Sequence, residues 1–118
     1  MKEYSFERLE VWKLARRLTN HIYSISRNFP DEEKFGITSQ IRRASVSIGS
    51  NIAEGTSRKS RIEKQRFLEI SYGSTLEVLN LLLIAHDQQF IKEADVLQLR
   101  SIVEELTNKL YKLKETIQ

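Results

Sequence analysis

The chain has 118 residues, 30% of them charged and 40% apolar, with 19 Lys and Arg against 16 Asp and Glu. That length suits one domain over residues 1–118 that buries about two thirds of its unfolded surface, and the apolar content separates it from disordered chains. It has no cysteine, so disulfides and thiolate-held metals are excluded.

In the first segment Val11, Leu14, Leu18, Ile22, Ile25 and Phe29 recur at intervals of three or four, and Leu9 and Trp12 widen the stripe. This predicts a helix of about 23 residues, ended by Pro30, which disfavours helical geometry at Phe29 and cannot donate a backbone hydrogen bond. One extra turn is expected over Pro30-Asp31-Glu32-Glu33, before Gly36.

Ile37, Ile41, Ala44, Ile48 and Ile52 predict the next helix, Ile37 to Glu54, with Gly55 as a left-handed cap. Beside that stripe Ser45, Gly49 and Ala53 form a row of small residues, while Ser47 and Ser50 add hydroxyls that can bond back to the preceding turn. Gly49 costs a helix about 1 kcal/mol relative to Ala, so close approach of another helix backbone is expected to offset it.

Ser60-Arg61-Ile62-Glu63 reads as a capping box that starts a helix over residues 61–86. Near its end Val78, Leu79, Leu81, Leu82, Leu83 and Ile84 point around the whole circumference. Either the Phe90-Ile91 connection roofs them or another copy of the chain covers them; the second reading makes the protein a homo-oligomer.

The last helix, over 92–117, has an unbroken heptad seam of Val96, Leu99, Val103, Leu106, Leu110, Leu113 and Ile117. Glu93 and Asp95 stand early and Lys109, Lys112 and Lys114 late, the polarity a helix dipole favours. Four such segments on short links predict an all-α, up-down antiparallel four-helix bundle.

The longest runs without Asp, Glu, Lys or Arg, from Ala44 to Ala53 and from Val78 to His86, are about half a bilayer span. Met1-Lys2-Glu3-Tyr4-Ser5 shows no basic flank followed by an apolar core. The expectation is a cytoplasmic protein without a membrane partner.

Chemistry is sparse. Leu18 and Leu83 stand three residues before the two histidines, so the Glu-x-x-His pairs of metal-binding bundles are missing, as are His-x-x-x-His pairs and phosphate-loop glycines; no metal or cofactor is expected. His86 at a helix end reads as a dipole partner. Arg16 and His21 resemble the Arg-x4-6-His element of helical ribonucleases of the HEPN class, but helical spacing separates them by about 140°.

Charge gives a better lead. Between residues 41 and 66, Arg42, Arg43, Arg58, Lys59, Arg61, Lys64 and Arg66 face only Glu54 and Glu63, a local net of +5, while the remainder nets −2. Arg58, Lys59 and Arg61 flank a helix N-terminus whose free N–H groups already favour anions, and all seven are expected to line one end of the bundle. Sequence-nonspecific contact with the backbone of RNA or DNA is the leading reading, since Phe67 and Tyr72 are the only aromatics nearby. A protein-protein adaptor that docks an acidic partner is the second reading, and a metal-independent ribonuclease the third.

The run from Gln40 to Gly55, QIRRASVSIGSNIAEG, resembles the hallmark of the four-helix-bundle proteins named for 23S rRNA intervening sequences. Support extends to Phe6, Leu9 and Trp12, to Phe29-Pro30 and Phe35-Gly36, to Arg66-Phe67-Leu68 and to Gly73-Ser74-Thr75-Leu76-Glu77. The resemblance implies a ring-like homopentamer without enzymatic activity. It also implies kinship with accessory proteins of diversity-generating retroelements, where a basic barrel binds nucleic acid and a reverse transcriptase. Gly49 stands where many members have proline, and Thr75 where Leu is commoner. Within the hallmark Asn51, Glu54 and Gly55 read as structural, and Arg42 and Arg43 as partners of either a neighbouring subunit or phosphate.

Overall fold

The computed structural model describes residues 1–117; Gln118, the last residue of the expected domain, lies outside them. Among the described residues four α-helices run α1 Glu10–Ser26, α2 Ile37–Thr56, α3 Arg61–Asp87 and α4 Glu93–Thr116, with 3-10 turns at Ser5–Arg8 and Asp31–Glu33 and no strand. Helix α2 packs against α1 and α3, α4 packs against the same two, and the backbones of α1 and α3 do not come within 8 Å, Cα to Cα. They stand at diagonal corners of a four-helix bundle.

The core takes one stripe from each helix: Leu18 and Ile22, Ile41 and Ile48, Val78 and Leu82, Leu99 and Leu106. Helix α1 is shorter than its apolar spacing predicts. After Ser26 the chain tightens, with Asn28 donating to the Ile25 carbonyl at 3.1 Å and Phe29 to the Ser26 carbonyl at 3.2 Å. Phe29 still reaches the core from this turn and packs 5.9 Å from Phe90. The Pro30 effect therefore acts three residues early, because a helix that must turn before proline loses its last full bonds.

Neither glycine of α2 has the role its position predicts. Gly55 lies inside the helix, which runs on to Thr56, and no described glycine has a positive φ. A Cβ at Gly55 would stand 2.9 Å from Cβ of Phe67, so the close approach is here, between α2 and α3. At Gly49 a Cβ would meet the Trp12 ring at 3.6 Å and the Ala15 methyl at 3.8 Å, ordinary contact rather than a backbone crossing. The left-handed residue is Gln89, at φ 66°, after α3; the Phe90 amide donates back to the Ala85 carbonyl at 2.9 Å, closing that helix end.

Hydroxyls stitch α2 to both neighbours. The Thr19 hydroxyl lies 3.0 Å from the Ser45 carbonyl, on the α1 side. Ser71 donates to the Ile48 carbonyl at 2.9 Å, and the Ser47 and Ser74 hydroxyls share a 3.0 Å hydrogen bond on the α3 side. Asn51 donates to the Ser47 carbonyl at 2.8 Å, a local role that keeps this hallmark residue in the scaffold. Thr75 is fully buried and satisfied by the Ser71 carbonyl at 2.8 Å, which is how a hydroxyl stands in place of an apolar side chain.

Candidate nucleic-acid interface

Helix α3 begins as predicted: the Ser60 hydroxyl accepts from the Glu63 amide at 3.1 Å. The return half of the box differs, since the Ser60 hydroxyl also faces the Glu63 carboxylate at 3.4 Å. Around this start Arg58, Lys59, Arg61 and Arg66 are exposed, and the Arg58 guanidinium lies 4.7 Å over the Phe67 ring. The remaining first-turn N–H groups of α3 add partial positive charge to the same place.

Arg42 and Arg43 are elsewhere, and Lys64 lies at the same end but on another face of α3. At a 1.5 Å rise per residue, Arg42 and Arg43 lie about 20 Å from this turn along α2, because the helix runs on unbroken between them. Arg42 leans toward α1, where its Nε donates to the Ser26 hydroxyl at 2.8 Å and its guanidinium lies 4.8 Å over the Tyr23 ring. Arg43 turns the other way, into a depression shared with Gln40, Ser47 and Glu77. Lys64 borders an apolar cleft of about 210 Å³ lined by Leu9, Ile52, Leu68, Leu113 and Ile117, on the side of α3 away from Arg66. The expectation that all seven line one end is thus corrected for Arg42 and Arg43: Arg58, Lys59, Arg61, Lys64 and Arg66 lie at or within two turns of the start of α3, on more than one face of the helix, and Arg42 and Arg43 do not.

What the sequence reading overlooked is the outer side of α1. Between residues 11 and 30 the chain has no Asp or Glu, while Lys13, Arg16, Arg17 and Arg27 are exposed. Lys13, Arg16, Arg17, Asn20 and His21 border one shallow depression. The absence of any carboxylate over two successive tens of residues is the signal that could have revealed it. Arg16 and His21 do border that depression together, yet the Arg16 guanidinium lies 5.4 Å over the Trp12 ring rather than beside the imidazole.

Ion pairing sharpens the contrast. Among the described residues the salt bridges join Arg8 to Glu3, Arg100 to Glu104, Lys109 to Glu10 and Glu105, and Lys114 to Glu69. None engages a cation of the α2–α3 turn or of α1. At the bundle edge the Glu10 and Glu105 carboxylates accept from Lys109 and raise its pKa, and the Lys109 hydrogen bond lowers that of Glu105. No described cluster of His, Asp and Glu is suited to a metal.

The opposite corner is apolar. On α3, Ile70, Leu76, Leu83 and Ile84 are 40%, 47%, 38% and 40% exposed, and a Cβ at Gly73 would meet nothing. Phe90 packs against Phe29 and Ile91 is buried, while Leu83 and Ile84 stay partly exposed, so the roof expected of this connection is incomplete. By length and composition alone α3 could cross a membrane, more than its charge-free runs suggest. Its inward side chains, Val78, Leu81, Leu82 and Ala85, are nevertheless spent on the bundle core.

The model of the 23S rRNA-intervening sequence protein family matches residues 7–112. No curated protein matches the chain. Among solved structures, the fold is similar to that of a protein of unknown function from the S23 ribosomal protein family of Bacteroides thetaiotaomicron. The TM-score is 0.82 and the identity 22%, covering 90% of this chain and 99% of that one. With the hallmark on α2 and the four-helix architecture in place, the chain belongs to the 23S rRNA-intervening sequence protein family.

Proposed function

We propose that the protein is a non-enzymatic, self-associating module that holds RNA or DNA by its phosphate backbone. The observation that carries this reading is the set of exposed cations at and near the α2–α3 turn, Arg58, Lys59, Arg61 and Arg66, none of which makes an ion pair within 4 Å among the described residues. Unpaired cations beside a helix N-terminus offer charge without base-reading geometry, so affinity is expected to be sequence-tolerant and salt-dependent.

Self-association rests on the partly exposed α3 residues Ile70, Leu76, Leu83 and Ile84, which share one side of the helix with Glu69, Glu77 and Asn80. A ring of five, the assembly the family resemblance implies, would repeat the basic turn around one rim and raise its local potential. Native mass spectrometry reads the subunit number directly; five is expected.

Binding is tested by anisotropy titration of mixed-sequence RNA and DNA across a salt series. Arg58→Glu with Lys59→Glu is expected to lower both affinity and the slope of log K against log salt. Salt-independent binding, or none at low salt, contradicts the reading. Preference for a polyglutamate competitor over nucleic acid would favour the adaptor reading instead.

A further inference from the structure

We infer that the outer face of α1 is a second, separate track for a single nucleic-acid strand, formed by Lys13, Arg16, Arg17 and Arg27 and extended by Arg42 from α2. This rests on the nucleic-acid reading above, but on different residues. On a helical wheel Lys13, Arg16, Arg17, Asn20, Ser24 and Arg27 fall within about 100° of arc, so they form a stripe rather than a ring. Its length, from residue 13 to 27, is about 21 Å, enough for roughly six nucleotides at the 3.4 Å axial spacing of one strand.

Three features set this stripe apart from an ordinary solvated helix face. Such a face intermixes both signs, whereas this one has no acid across residues 11–30. Glu105 on α4 is the carboxylate whose charge feels Arg17, and it is already held by Lys109 at 2.8 Å. Two of the guanidiniums are propped on aromatic rings, Arg16 on Trp12 and Arg42 on Tyr23, which limits the freedom lost on binding. Tyr23 is itself partly exposed and offers a face for a base to stack upon.

The chemistry favours nucleic acid over other polyanions. Apart from Tyr23 the stripe presents no large apolar side chain that a membrane surface would need. Its cations stand at 13, 16 and 17 and again at 27, just past the end of α1, with the polar Asn20 and Ser24 between them.

The test compares two variants of the full chain in the same salt series, with separate RNA and DNA oligonucleotides. The first is Lys13→Gln, Arg16→Gln, Arg17→Gln and Arg27→Gln; the second is Arg58→Gln, Lys59→Gln and Arg61→Gln. The α1 variant is expected to bind at least about tenfold more weakly at low salt, with a log-log slope smaller by about 2 to 3, while its thermal melt stays unchanged. Replacing the three α1 arginines by lysine instead is expected to retain the slope. Photo-crosslinking of the unaltered protein should map to α1 peptides.

An α1 variant with native affinity and slope, beside an impaired turn variant, overturns the track and leaves the turn reading standing. A fall in assembly mass with unaltered nucleic-acid binding would assign the stripe to a subunit contact, and also overturns it. Failure of the unaltered protein to bind either nucleic acid removes both readings together.

Discussion

Helices α1 and α3 occupy diagonal corners of the same bundle and bury comparable stripes, yet their outer surfaces are opposites. Residues 11–30 contain no acid and residues 67–91 no Lys or Arg. Outside the core, α1 presents cations over about 21 Å, and α3 presents Ile70, Leu76, Leu83 and Ile84 over a similar length. A bundle corner that only has to stay dissolved needs mixed charges and few apolar side chains; neither corner meets that description. The difference teaches that inward periodicity sets the fold, while outward composition, which the fold leaves free, is where the proposed binding and self-association are placed.

The sharpest way to break this comparison is to charge the apolar corner. Leu76→Glu with Leu83→Glu is expected to abolish self-association, seen as a collapse of the light-scattering mass to that of one protomer. Both side chains are already partly exposed, so the helical circular-dichroism signal should persist. An unchanged mass would remove α3 from the interface.

The glycines of α2 probe how each corner is packed, with opposite signs. Gly55→Ala forces a methyl to 2.9 Å from Phe67 and is expected to destabilise by about 1–3 kcal/mol in urea unfolding. Gly49→Ala meets Trp12 and Ala15 at ordinary distances and should stabilise by about 0.5–1 kcal/mol, because Ala is the better helix former. Equal effects at both sites would contradict the assignment of close packing to the α2–α3 side. Gln89→Gly, which relieves the left-handed residue after α3, is expected to add about 0.5–1 kcal/mol by the same measurement.

The smallest effect concerns the α1–α4 edge. Glu105 has its pKa lowered by Lys109, so its contribution is present above its ordinary value of 4.5 and is lost as pH falls through the depressed value. Lys109 has its pKa raised by Glu10 and Glu105, so its contribution is present below 10.5 and is lost as pH rises through the elevated value. Once corrected for the intrinsic pH dependence of amide exchange, protection around Glu105 and Lys109 in α4 should therefore fall on acidification, and added salt should blunt the change, since these groups are exposed.

Much of the fold is legible from apolar spacing, because seams such as Val96, Leu99, Val103 and Leu106 admit only a helix with one buried side. The Ser60 cap was equally legible, since its chemistry is local. Gly49 and Gly55 were misread because a glycine's reason lies in its spatial neighbours, and sequence separates Gly55 from Phe67 by a turn whose path it does not state. For the same cause the basic residues at 42 and 43 seemed adjacent to the α2–α3 turn, although a helix carries them away at 1.5 Å per residue. The α1 stripe was present in the sequence throughout. Its cations are sparse, and what marks it is the lack of carboxylates over residues 11–30 rather than a local density of charge.

The central claim, that α3 meets other copies of the chain while the cations stay available to a ligand, is tested most directly by sedimentation equilibrium of the unaltered protein at micromolar concentration. The account predicts a mass several times that of one protomer, held across a salt series because the contact is apolar. A single protomer at every concentration would contradict it.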